Sequence, residues 1–213
     1  MTTIEAWDGR ASLPVLQPPV RGIFPAYPCA HSGAVVIAGF ASTLQDDLAR
    51  VAARRPGLPI IAVNKAAEHI KAFAVYSFHF ERDKLGIWSR AQRERFGGDF
   101  VAFGPGKKDW LEHNQRNYPY VDYWAPSTAC QGSSGWCAVR LAHLLGFEER
   151  ILCGIPIEAR RYADKTPARY WQSSKTHAVS TFRKHIERDK ACHSGTYSLS
   201  GWTRELLGEP PWM

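Results

Sequence analysis

A chain of 213 residues, 45% apolar and 22% charged, is long enough for one well-filled core and too apolar to be a disordered tail. The first ten residues carry Glu5, Asp8 and Arg10 and no apolar run, so no secretory signal is expected, and no stretch approaches the roughly 18 apolar residues of a membrane span. A soluble, cytoplasmic protein with no membrane partner is therefore expected, and its formal charge of +7 is compatible with an anionic partner, a nucleotide, a phosphorylated substrate or nucleic acid, of which an anionic small-molecule ligand is expected. Nucleic acid is disfavoured, because the densest basic groups (Arg160, Arg161, Lys165 and Arg169, then Lys175, Arg183, Lys184, Arg188 and Lys190) read as solvated helix faces. Five cysteines (Cys29, Cys130, Cys137, Cys153, Cys192) fit neither a disulfide framework nor a paired zinc site, so most are expected to be small buried thiols.

Pro14, Pro18, Pro19, Pro25 and Pro28 make residues 1–32 an extended arm, long enough to lie on a neighbouring subunit of a homo-oligomer; residues 33–213 form one domain. Residues 33–39 are a short apolar run between glycines, as in a parallel strand buried on both faces. A helix over 46–54 follows, with Leu48, Val51 and Ala52 at helical spacing, stopped by Arg55-Pro56-Gly57. The alternation repeats: strand 58–63, short helix 66–71, strand 73–80, helix 87–96, strand 99–103 ending at Gly104-Pro105-Gly106. Residues 107–128, rich in Trp, Tyr, Asn and Pro, have no clear period and read as a long loop or lid. Next, Gly132-Ser133-Ser134-Gly135 opens a helix with Ala138, Leu141, Ala142 and Leu145 on one face, ended by Gly146. A buried strand over 150–157, a charged helical region over 167–190 and a closing segment over 196–207 complete the chain. Strands alternating with helices predict a three-layer Rossmann-like α/β fold, with a mainly parallel sheet and helices on both faces.

Ligands of such sheets sit beyond the carboxyl ends of the strands, where helix N-termini attract phosphate. Three loops qualify and are expected to converge: residues 39–44, with Ser42 and Thr43 that also suit a plain N-cap; Asn64, which also suits a turn; and residues 132–135. A valine at Gly135 is expected to block the ligand while leaving the fold intact. His79 and Glu81 share a strand face but lack further ligands, so no metal site is assigned. Neither GxxxxGK[ST], GxGxxG nor GxSxG occurs at the required place, against hydrolase and dehydrogenase readings.

The segment Val35-Val36-Ile37-Ala38-Gly39-Phe40-Ala41-Ser42-Thr43-Leu44 resembles the nucleotide-binding strand and loop of bacterial sialyltransferases and of archaeal 6-hydroxymethylpterin diphosphokinase-like proteins. The stretch from Ser134-Gly135 through Leu145-Gly146-Phe147 to Cys153-Gly154-Ile155 is similar to their Ser-Gly, helix, Leu-Gly-Tyr, strand, Ser-Gly-Ile-Asp segment. The resemblance implies a nucleotide-dependent transferase, glycosyl or diphosphoryl, with a nucleotide or nucleotide-sugar as substrate. It places ligand contacts on Gly39, Ala41, Ser42, Thr43, Asn64, Ser133, Ser134 and Gly135, with Gly154 bordering the base. It also implies a general-base histidine downstream of Gly154, for which His177 and His185 both stand as candidates. Phe40 stands where those proteins carry an asparagine, and Pro156 where they carry an aspartate. Both departures support the alternative, a non-catalytic nucleotide-binding or assembly protein on the same fold.

Overall fold

Each short apolar run bounded by glycine or proline becomes a strand of a single sheet. The structure, a computed structural model, describes residues 31–77, 82–97, 99–106, 122–126, 133–158, 162–164 and 176–213. The strands are β1 (Ala34–Ala38), β2 (Ile60–Val63), β3 (Ala74–Tyr76), β4 (Val101–Gly106), β5 (Tyr123–Pro126), β6 (Glu149–Cys153) and β7 (Thr196–Ser198). They lie in the order β5-β4-β3-β2-β1-β6-β7, and every pairing is parallel.

The helices are α1 (Leu44–Arg54), α2 (Arg82–Phe96), α3 (Ser134–Leu144), α4 (Thr176–Arg188) and α5 (Gly201–Leu207). Strand alternation sorts the core into two layers. Ala34, Val36 and Ala38 of β1 face the same side as Leu44, Leu48 and Val51 of α1 and Trp88 of α2. Val35 and Ile37 face the other side, with Ala138, Leu141 and Ala142 of α3 and, packed against them, Val179 and Phe182 of α4 and Trp202 of α5. The predicted three-layer Rossmann-like α/β architecture is what is found.

Several expectations change in detail. Tyr123–Pro126 is a strand inside the segment read as a loop over 107–128. It lies at the sheet edge, where proline is tolerated, so the composition that reads as a loop is also compatible with an edge strand. The short helix expected at 66–71 is a 3-10 turn over Asn64–Glu68, starting directly from β2. The strand expected over 150–157 ends at Cys153, because Gly154 takes a left-handed φ of 65° that no strand continues through. Cys153 and Cys192 are buried free thiols, as expected for most of the cysteines, whereas Cys137 is disulfide-bonded. Residues 1–30 of the N-terminal arm, His79, Glu81 and residues 107–121 lie outside the described residues. Among the described residues no helix is long and apolar enough to cross a membrane.

Candidate functional site

Chain order reverses between β1 and β6: β1 leads to β2 on one side and pairs with β6, reached much later, on the other. In a parallel sheet this divergence opens a crevice at the carboxyl edge. Here the loops after the two strands interlock. The Gly39 N–H donates to the Cys153 carbonyl at 2.8 Å, and the Ala41 N–H to the Gly154 carbonyl at 3.2 Å. Only glycine permits the approach, since a Cβ on Gly39 would stand 2.7 Å from the Gly154 oxygen, and one on Gly154 2.5 Å from the Gly39 oxygen.

A buried carboxylate ties this joint to the helices. Asp47 of α1, 3% exposed, accepts from the Gly154 N–H and from the Ser200 hydroxyl, both at 2.8 Å on Oδ2. Ser200 Oγ is in turn 3.0 Å from Thr43 Oγ1. Burial pushes the Asp47 pKa up, and the hydrogen bonds from Gly154, Ser200 and Thr43, with the Arg50 charge, pull against it. On the neighbouring loop, the Thr203 hydroxyl of α5 donates to the Ile155 carbonyl at 2.7 Å.

Beside the joint, β2 ends in Asn64. By extension of the Ala38–Ala62 pairing, Asn64 lies level with Phe40. It has a left-handed φ of 54°, and its side-chain Oδ1 is buried with no hydrogen-bond partner. Phe40, 6% exposed, stacks on His69 with centroids 4.5 Å apart and planes 17° apart, and its ring lies 5.9 Å from that of Tyr162. The Lys65 Nζ sits 5.2 Å from the Phe40 ring centroid and 2.6 Å from Asp164 Oδ2. Residues 162–164 are fastened over the β1 loop by an antiparallel bridge from Tyr162 to Ala41 and by the Ala163 N–H donating to the Phe40 carbonyl at 3.1 Å. His69 Nε2 is buried without a hydrogen bond; burial first, and the Arg95 and Lys65 charges after it, hold its pKa down against Glu68 and Asp164.

The third loop arrives with α3. Ser133 caps the helix, its Oγ accepting from the Trp136 N–H at 3.3 Å, and Ser134 opens the first turn. Gly135 is buried, and a Cβ there would fall 2.8 Å from Cδ1 and Cγ2 of Ile155, whose Cγ1 also fills the space beside Gly39. Ile155 thus links two of the three loops, and all three lie on the carboxyl side of the sheet. The reason for glycine at 135 is correspondingly different from the expected one, because the missing side chain makes room for Ile155. Gly135→Val is therefore expected to lower stability by roughly 1–3 kcal/mol, measured by thermal melting without any ligand. A variant that melts like the parent would show that α3 can shift away from Ile155.

Of the remaining sequence candidates, Ser42 is exposed and Thr43 is engaged by Ser200. The candidate histidines occupy opposite ends of α4, which leads from the carboxyl side toward the start of β7. His177 is the second residue of the helix; His185 is half-buried in its last turn, nearer the amino edge. Sequence reading did not find Asp47, Lys65, His69, Tyr162 or Asp164. Asp47 looks like an ordinary helix-start acid, and the others are polar residues in segments without a motif. Among the described residues no group of three or more His, Cys, Asp or Glu could hold a metal ion.

These features define an α/β Rossmann-like fold, and solved structures give particular neighbours. The fold is similar to the sialyltransferase CstII from Campylobacter jejuni in complex with a substrate analogue, CMP-3FNeuAc, at a TM-score of 0.59 and 15% identity over 84% of this chain and 86% of that one. A structure of CST-II with a trisaccharide acceptor and CMP matches at 0.57 and 16% identity, with the same coverage of 84% and 86%. The MAf glycosyltransferase from Magnetospirillum magneticum AMB-1 matches at 0.50 and 16% identity over 79% of this chain and 32% of that one. At such identities the likeness is one of fold. It supports a sialyltransferase-like fold, and the diphosphokinase side of the sequence resemblance is not supported. No family model matches the chain, and no curated protein matches it in sequence.

Proposed function

We propose that this protein is a nucleotide-dependent glycosyltransferase of the sialyltransferase type, binding a CMP-like nucleotide or nucleotide-sugar in the crevice bounded by Gly39–Ala41, Asn64, the start of α3 and Gly154. The observation that carries the reading is Asn64. The left-handed backbone is one that asparagine adopts readily, but a buried carbonyl oxygen without a donor is costly, and a ligand hydroxyl or amine would satisfy it. An amide oxygen accepts from a ribose hydroxyl or a base amine. The free N–H groups of Ser134 and Gly135 at the start of α3 suit the anionic part of the ligand. Two solved neighbours on this fold hold CMP or a CMP-linked analogue. In the transfer step His177, at the start of α4, serves as general base toward the acceptor hydroxyl in preference to His185.

The test is a thermal-shift screen of nucleotides and nucleotide-sugars, because a ligand that binds only the folded state raises the melting temperature. CMP and CMP-sugars are expected to stabilise the parent, and Asn64→Ala to weaken CMP binding about tenfold or more, equivalent to roughly 1.4 kcal/mol. His177→Ala is expected to depress turnover with CMP affinity kept, the pattern of a group acting in the transition state. Stabilisation by CMP without turnover on any acceptor would select the non-catalytic binding protein, and no response to any nucleotide would end the nucleotide reading.

A further inference from the structure

We propose that the Lys65 ammonium is the phosphate anchor of this site and that the Asp164 carboxylate occupies it as an internal stand-in until the nucleotide displaces it. The inference rests on the nucleotide reading above and adds to it a residue and a competing contact.

Lys65 follows Asn64 directly, so a ligand that reaches the unpartnered Oδ1 of Asn64 comes within reach of the lysine. Asn64 Oδ1 can only accept, which suits a sugar or base and cannot serve a phosphate; the phosphate needs a donor with charge. Lys65 meets that need. Its side chain is 38% exposed, and the Phe40 ring lies under the ammonium, positioning a cation at the mouth of the β1 loop. Phe40 cannot itself hydrogen-bond a nucleotide, but by supporting Lys65 it places a polar group where its own side chain offers none.

Asp164 already treats Lys65 as an anion site. Its Oδ2 lies 2.6 Å from Nζ, and residues 162–164 are pinned across the β1 loop by the Tyr162–Ala41 bridge and the Ala163–Phe40 hydrogen bond. The carboxylate is thereby delivered to a defined point beside the nucleotide loop. A part-exposed ion pair of this kind contributes little to folding, so its exchange for another anion costs little. The phosphate of CMP is a monoester with about −1.5 to −2 charges at pH 7 and three acceptor oxygens, which gives it the charge to compete with a singly charged carboxylate for the same ammonium.

Calorimetric titration of the full chain with CMP at low ionic strength tests this, using Lys65→Met, Lys65→Arg, Asp164→Asn and the double variant Lys65→Met/Asp164→Asn, with circular dichroism melts to establish folding. Lys65→Met is expected to weaken CMP binding about tenfold, and Lys65→Arg to retain most of it. Asp164→Asn is expected to tighten binding about threefold or more, and this gain should vanish in the double variant, since Asp164 acts through Lys65. A folded Lys65→Met protein binding CMP within twofold of the parent would overturn the anchor. A gain from Asp164→Asn of equal size with and without Lys65, or no gain at all, would overturn the stand-in. Failure of the parent itself to bind CMP would instead overturn the nucleotide reading, and this inference with it.

Discussion

Gly154→Ala is expected to lower stability by about 3 kcal/mol. Two costs combine. The left-handed backbone at φ 65° disfavours any side chain by roughly 1–2 kcal/mol, and the new Cβ would stand 2.5 Å from the Gly39 carbonyl oxygen and 2.9 Å from Leu44 Cβ, an overlap costing roughly 1–3 kcal/mol. The obstacle is backbone on one side and a fully buried leucine on the other, so neither neighbour can rotate away. For a chain of this length the melting temperature should fall by roughly 6–12 °C. Gly57→Ala is the matched control, with φ 77° and nothing within 4 Å of its Cβ, so it pays the backbone cost alone. Equal melting temperatures for the two variants would mean that the β1 and β6 loops are not in the close contact described.

Asp47→Ala is the second large effect, about 2–4 kcal/mol, because it leaves the Gly154 N–H and the Ser200 hydroxyl without their shared acceptor inside the fold. Asp47→Asn should cost far less, since an amide oxygen can still accept both bonds while the buried charge disappears. The same carboxylate makes a distinctive contribution to pH dependence. Its pKa is raised in the fold, so the folded protein favours the protonated form. This contribution to stability is fully present below the unfolded pKa and is lost as pH rises through the folded one. The parent is therefore expected to gain stability relative to Asp47→Asn as pH falls through the raised pKa toward the ordinary value of about 3.8. Urea unfolding of both proteins across that range measures the difference, and a constant difference would show that Asp47 carries no such shift.

The joint between the β1 and β6 loops, on which both variants act, separates what the chain states locally from what it states only when folded. Apolar runs such as 34–38 and 60–63 are buried on both faces, so every side chain in them must be apolar, and that continuous pattern is readable without a structure. The apolar stripe of α3 and the stop after α1 are likewise local. From these the alternation, the parallel sheet and the three candidate loops follow. Strand β5 escaped because four residues at a sheet edge need no long apolar run and can hold a proline.

The partners across the site were decided by tertiary structure alone. Asp47 meets Ser200, 153 residues away, and Lys65 meets Asp164, 99 residues away, and nothing in the neighbourhood of either residue specifies the other. Gly135 shows the same limit: local chemistry makes a glycine before a helix a place for a ligand, whereas the side chain that needs its space is Ile155, brought there by β6. Periodicity and turn chemistry act over a few residues and so determined the elements and their order. Close packing joins residues that the chain keeps far apart, so only the folded structure decided which buried polar groups are satisfied and which, like the Asn64 oxygen, are left open.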